Sequence, residues 1–243
     1  MSSLLDDAID AAGGRRRWRG VKGISAHVNS GGLLMRMKGK AASFRDYGIS
    51  VTTDEQGAVL QPYPRKGSSG IYAGGTVRIE GEDGEVLSER PDPRDAFSGL
   101  SGLRRDLRWD DLDALYFAGY AFWNYLNIPF LLERPGFQVS EGEPLTVGGE
   151  SWRRLDVAFP EDVHTHCREQ ALYFDPRGLL RRHDYHPDVV SSLANAAHLC
   201  DGHHEFDGLV FPTMRRVVPK GPRGRPLRGP TVVSIDLDSI EAD

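Results

Sequence analysis

The stretch DDLDALYFAGYAFWNYLN, residues 110–127, restricts what this chain can fold into more than any other. It reads as one helix. Asp110 is a good N-cap, Asp111 and Asp113 place negative charge at the helix N-terminus, and Pro129 stops the pattern. Leu112, Leu115, Gly119, Phe122 and Leu126 form an apolar stripe, and Tyr116, Tyr120, Trp123 and Tyr125 widen it. A helix that is apolar nearly all round must be covered on more than one side. The cover has to come from the rest of the chain, where the apolar period is two.

Ile24, Ala26 and Val28 alternate with Ser25, His27 and Asn29, and Leu33, Met35 and Met37 follow the same period. Tyr47, Ile49 and Val51 share a face, as do Val77 and Ile79, and breaks such as NSGG and DEQG separate the runs. ERPDPRDAFSGLSG (89–102) reads as a loop, and WRRLDVAF (152–159) as a further strand. HTHCREQALYF then meets LLRRHDY across the turn DPRG (175–178), and AAHLCDGHHEF meets LVFPTMRRVV across Asp207-Gly208, a favoured hairpin pair. TVVSIDL closes the series, and a short capped helix opens it before Gly13-Gly14.

With no βαβ alternation and no internal repeat, the expected fold is mainly β (α+β). It is a curved, mostly antiparallel sheet of about 10–11 strands forming an open half-barrel, with an N-terminal helix and the central helical segment packed on it. A single domain over 1–243 is expected.

The net charge of −5 argues against general nucleic-acid binding, and two cysteines make no disulfide framework. No apolar run approaches the roughly 20 residues that span a bilayer. MSSLLDDAIDAAGG lacks the basic and apolar regions of a secretory signal, so a cytoplasmic protein is expected. The excess of Arg over Lys points to a GC-rich bacterial source. RRRWR (15–19) reads as a solvated basic face with one aromatic anchor.

The closing pattern, YFDPRGLLRRHDY followed by FDGLVFPTMRRV and ending in VVSIDL, resembles the LolA/LolB-like half-barrel superfamily over most of the chain. The resemblance implies an open β-barrel around a helical lid, with an apolar cavity that holds lipid or acyl chains. The chain departs from that pattern in lacking a signal peptide and a lipobox cysteine, hence a cytoplasmic variant. It departs also in its histidines, seven of eight lying between 164 and 204.

If DPRG joins Phe174 to Leu179, Leu172 faces Arg181, Gln170 faces His183 and Arg168 faces Tyr185, with His164 and His166 on the same face. The second hairpin pairs His204 with Phe211, Cys200 with Arg215 and His198 with Val217, so His198, Cys200 and His204 share a face. Nucleophile elbows, P-loops, dinucleotide fingerprints and HExxH motifs are missing from the sequence.

Three readings follow. The first is a binder of a hydrophobic small molecule (lipid-, terpenoid- or polyketide-like), walled by Tyr120, Trp123, Phe130, Met35 and Met37. The second is a cofactor-independent cyclase, isomerase or hydratase using His183 and Tyr185 as an acid–base pair, with His166 and Arg168 beside them. The third is a metalloenzyme ligated by His164, His166 and His183, against which the charge of Arg168 speaks. The first two call for no cofactor.

Overall fold

In the computed structural model, which describes residues 3–98, 102, 105, 107–191 and 194–243, the central helix spans Asp111–Asn127. Its start follows from the sequence. The Asp110 side chain accepts from the Asp113 backbone at 2.8 Å, and Asp113 accepts from the Asp110 backbone at 3.0 Å. Arg90 and Arg105 hold the buried Asp113 carboxylate at 2.7 and 2.6 Å. Shorter helices before it include α1 (Leu4–Ala11), α2 (Gly14–Trp18) and α3 (Leu33–Met37). The central helix is α4.

The strands are β1 (Gly23–Gly31), β2 (Tyr47–Thr52), β3 (Gly57–Gln61), β4 (Ser68–Ala73), β5 (Thr76–Gly81), β6 (Val86–Pro91), β7 (Gln138–Val147), β8 (Glu150–Ala158), β9 (Glu169–Phe174), β10 (Leu180–Tyr185), β11 (Ala196–Phe206), β12 (Leu209–Pro219) and β13 (Val233–Ala242). They form one antiparallel sheet in the order β6-β5-β4-β3-β2-β1-β13-β12-β11-β10-β9-β8-β7. The chain meanders outward from β1 to one edge, crosses with α4 to the other edge at β7, and meanders back to the centre. β6 and β7 do not pair, so the curved sheet stays unclosed and wraps α4.

Contact between helix and sheet depends on two glycines. A Cβ on Gly119 would stand 2.5 Å from the Tyr72 Cβ, and one on Gly70 would stand 2.5 Å from Tyr63 and 2.7 Å from Leu115. The missing side chains let α4 approach β4 at backbone distance.

Several expectations are corrected. Thirteen strands form among the described residues rather than 10–11. Leu33–Met37 is a helix, because Gly32 at φ +108° ends β1; Met35 is buried and Met37 is 65% exposed. The segment expected as a loop begins as the edge strand β6, where Pro91 sits at the strand's end; residues 99–101 of that segment lie outside the described residues. RRRWR is not a free basic face: Arg15 bonds Asp6 at 2.5 Å and Glu133 at 2.8 Å, and Trp18 stacks on Phe130 with centroids 4.2 Å apart. Among the described residues no helix is long and apolar enough to cross a membrane.

Gly→Ala inside a helix ordinarily stabilises by up to about 1 kcal/mol. Gly119→Ala is expected instead to destabilise by about 1–3 kcal/mol, because its methyl group collides with Tyr72. A denaturant midpoint at or above that of the parent protein would refute this packing.

Candidate functional site

The β9–β10 hairpin is tighter than the sequence implied. Asp175 N–H donates to Leu179 O at 3.0 Å, leaving a three-residue loop with Gly178 at φ +80°, and Phe174 faces Leu180 rather than Leu179. A bulge at Arg181 then moves the register once more, so His183 faces Leu172 rather than Gln170. Two one-residue shifts restore the parity of the strand. His183 and Tyr185 therefore share the inner face with Leu172 and Gln170.

The β11–β12 register is the expected one, with Cys200 opposite Arg215, His198 opposite Val217 and His204 opposite Phe211. The expected common face holds for His198 and Cys200 but not for His204. Gly202, at φ +62°, breaks the strand's alternation and His204 is exposed, while His203 bonds Leu180 O at 2.9 Å. Across the next ladder His183 faces His198. His166 arrives from the connection between β8 and β9.

Under the C-terminal half of α4 these residues form a buried polar cluster. His166 is held at both nitrogens, by Tyr120 OH at 3.1 Å and Tyr125 OH at 2.6 Å, and stacks on Tyr185 at 4.0 Å. Tyr125 OH also bonds Tyr185 OH at 2.9 Å. The Gln170 amide nitrogen donates to Thr165 Oγ1 at 2.6 Å and Cys167 O at 2.7 Å. That leaves Gln170 Oε1 to accept from His183 Nε2 at 2.5 Å, so His183 Nδ1 is a bare acceptor without a partner. Arg215 Nη2 donates to Tyr125 O at 3.1 Å, capping the last turn of α4, and its guanidinium lies 5.1 Å from the Tyr125 ring centroid. Arg215 Nε and both nitrogens of His198 have no partner among the described residues.

Burial disfavours the charged forms of the histidines and tyrosines here. It pushes His183 down to about 3, with the positive charge of Arg215 adding to the effect. His166 is held well below the usual histidine range by burial and then by His183 and Arg94; His198 is lowered likewise by burial, Arg215 and its histidine neighbours. Burial raises Tyr120, Tyr125 and Tyr185.

Of the residues named from sequence, the structure brings His166, His183, Tyr185 and Tyr120 together. Arg168 lies apart, more than half exposed beside Glu161, because it precedes β9 rather than extending it. His164 packs against Tyr72 and Tyr116, and among the described residues no three His, Cys, Asp or Glu converge as metal ligands. Trp123 is buried in the core under Arg134, and Phe130 under Trp18. Met35 lines a small apolar hollow; Met37 faces outward. Sequence reasoning missed Tyr125, Arg215 and His198 as members of the cluster. The Asp207-Gly208 register had set His198, Cys200 and Arg215 in adjacent rows, which was the available signal.

The sequence matches no protein-family model and no curated protein. Its fold does have solved counterparts. A Vibrio parahaemolyticus structure described as an outer membrane lipoprotein-sorting protein domain has a TM-score of 0.56 at 9% identity, covering 98% of this chain and 91% of that one. A DUF1329 family protein from Desulfovibrio piger has a TM-score of 0.51 at 14% identity, covering 100% and 94%. A LolA superfamily protein from Nitrosomonas europaea has a TM-score of 0.50 at 10% identity, covering 98% and 91%.

The fold is LolA-like. The expectation of a cytoplasmic protein does not stand, because a structure sharing this LolA-like fold is described by outer-membrane lipoprotein sorting.

The three buried histidines tie stability to pH. An unfolded histidine takes up a proton below about pH 6.5, whereas the folded protein keeps His166, His183 and His198 neutral, so unfolding absorbs protons. Their contribution is complete above about pH 6.5 and declines as pH falls, for His183 until about pH 3. The free energy of unfolding should drop by several kcal/mol between about pH 7 and pH 5. Denaturant melts giving equal stability at both would contradict neutral burial.

Proposed function

We propose that the protein binds a hydrophobic small molecule, lipid-like in character, between the inner face of the half-barrel and α4. The supporting observation is a hollow of about 30 Å³ lined by Met35, Phe44, Tyr47, Phe122, Tyr125 and Val217. It lies where α4 meets β1, β12 and β13, and shares Tyr125 and Tyr185 with the polar cluster.

A space of about 30 Å³ admits little more than one small group, so a longer ligand enters only as α4 moves outward. The unclosed sheet permits this, since β6 and β7 are free to separate without breaking a ladder. Terpenoid- and polyketide-like molecules have the same apolar bulk as an acyl chain and belong to the same class of occupant. His183 and Tyr185 act in this reading as contacts, not as acid and base. His183 has its Nε2 committed to Gln170, and burial holds Tyr185 far from ionising.

The neutral dye N-phenylnaphthylamine should brighten on saturable binding at one site. Ala121→Leu extends a side chain into the hollow and should weaken that binding at least about tenfold while the circular dichroism spectrum is unchanged. A parent protein that does not take up the dye, or a folded variant that binds it equally well, would sink the reading.

A further inference from the structure

An arginine with 1% of its surface exposed and no anionic partner among the described residues calls for an explanation. Arg215 is one of the largest fully buried side chains in the protein. A guanidinium stays charged at any physiological pH, and a buried charge is stable only when it is paired and hydrogen-bonded. The groups bonded to it among the described residues are a backbone carbonyl at 3.1 Å and the Cys200 sulfur at 3.6 Å, both uncharged. Its Nε–H is unused.

The neighbouring side chains have the same deficit. His198, fully buried, has two unpartnered nitrogens, one of which carries a proton in the neutral ring. His183 offers a lone pair at Nδ1. These groups surround one ring: Arg215 lies 5.1 Å, His198 4.6 Å and His183 6.2 Å from Tyr125. Capping of α4 accounts for one nitrogen of Arg215 and for none of the other vacant positions.

We propose that Arg215, His198 and His183 are the seat for the head group of the ligand, and that this head group is a carboxylate. The inference rests on the reading of the hollow as an apolar ligand site and names the class of ligand. One positive charge matches one negative charge. The Arg215 Nε–H and the His198 N–H donate to the carboxylate oxygens, and His183 Nδ1 accepts from a water or hydroxyl beside them. The three seat residues do not themselves line the hollow, but Tyr125, which they surround, and Tyr185 do. The outward movement of α4 that admits a ligand therefore lets the acyl chain pass from the seat beside these two rings into the hollow. An amphiphilic acid, of which a fatty acid is the simplest, fits both halves.

The test is displacement of N-phenylnaphthylamine by dodecanoate below its micelle-forming concentration, by dodecanol below its solubility limit, and by acetate. Dodecanoate should displace the dye at concentrations at least about tenfold lower than dodecanol, and acetate should not displace it. Arg215→Met should abolish the preference for dodecanoate while dye binding persists, and Arg215→Lys should keep most of it. Equal displacement by dodecanoate and dodecanol in the parent protein would overturn the carboxylate seat and leave the apolar site standing. Displacement by acetate as strong as by dodecanoate would overturn the joined head-and-chain site. A parent protein that binds no dye would remove the reading on which both rest. If Arg215→Met does not fold, the parent protein and Arg215→Lys decide the matter.

Discussion

Sixteen of the seventeen residues of α4 are out of water, and a helix without a wet face imposes conditions on everything around it. Its main chain satisfies itself, but its side chains carry polar atoms into the interior. Asn124 donates to Tyr120 O and His164 O at 2.7 and 3.0 Å, and Asn127 to Trp123 O and Thr52 O at 2.8 and 3.2 Å. Tyr120 and Tyr125 need partners as well, and His166 and Tyr185 supply them. The polar interior therefore exists because the helix is amphipathic atom by atom rather than face by face.

The same condition explains why the sheet is large. Few strands can cover a helix on most of its circumference, and a sheet that curves enough to do so needs many. Gly70 and Gly119 set how closely the two bodies fit at β4. On the opposite side, β10 to β12 present histidine, tyrosine and arginine, so the interior is apolar on one flank and polar on the other. An interior divided in this way suits a molecule that is itself divided.

Much of this was legible in the sequence. Period-two alternation and Gly-rich breaks indicated antiparallel strands, Asp110 and Pro129 bounded the helix to within a residue or two, and Asp207-Gly208 fixed a register that the structure reproduces. The hairpin at 175–178 was harder, because a turn can close at four residues or three and a bulge leaves no mark in composition. Its two shifts happen to cancel in parity, which is why His183 and Tyr185 still point inward. Met37 and Arg168 differ for simpler reasons: Leu33–Met37 is a helix where period two implies a strand, and β9 begins one residue after Arg168. Arg215 was hardest to see, since an arginine on a strand is ordinarily a surface residue and only its opposite number, Cys200, marks the row as internal.

The strand order carries a consequence for how the protein is made. β1 to β6 build one meander and β7 to β12 another, each by local pairing with its predecessor. Among the described strands β13 joins them, pairing with β1 on one side and β12 on the other. During synthesis the inner edges of both meanders stay open until this strand, which follows all the others, leaves the ribosome. For that interval the nascent chain exposes two unpaired edges and an apolar helix covered by the first meander on one flank only, a combination prone to pairing with a neighbouring chain. The last strand thus decides when the nascent chain stops being a hazard to its neighbours.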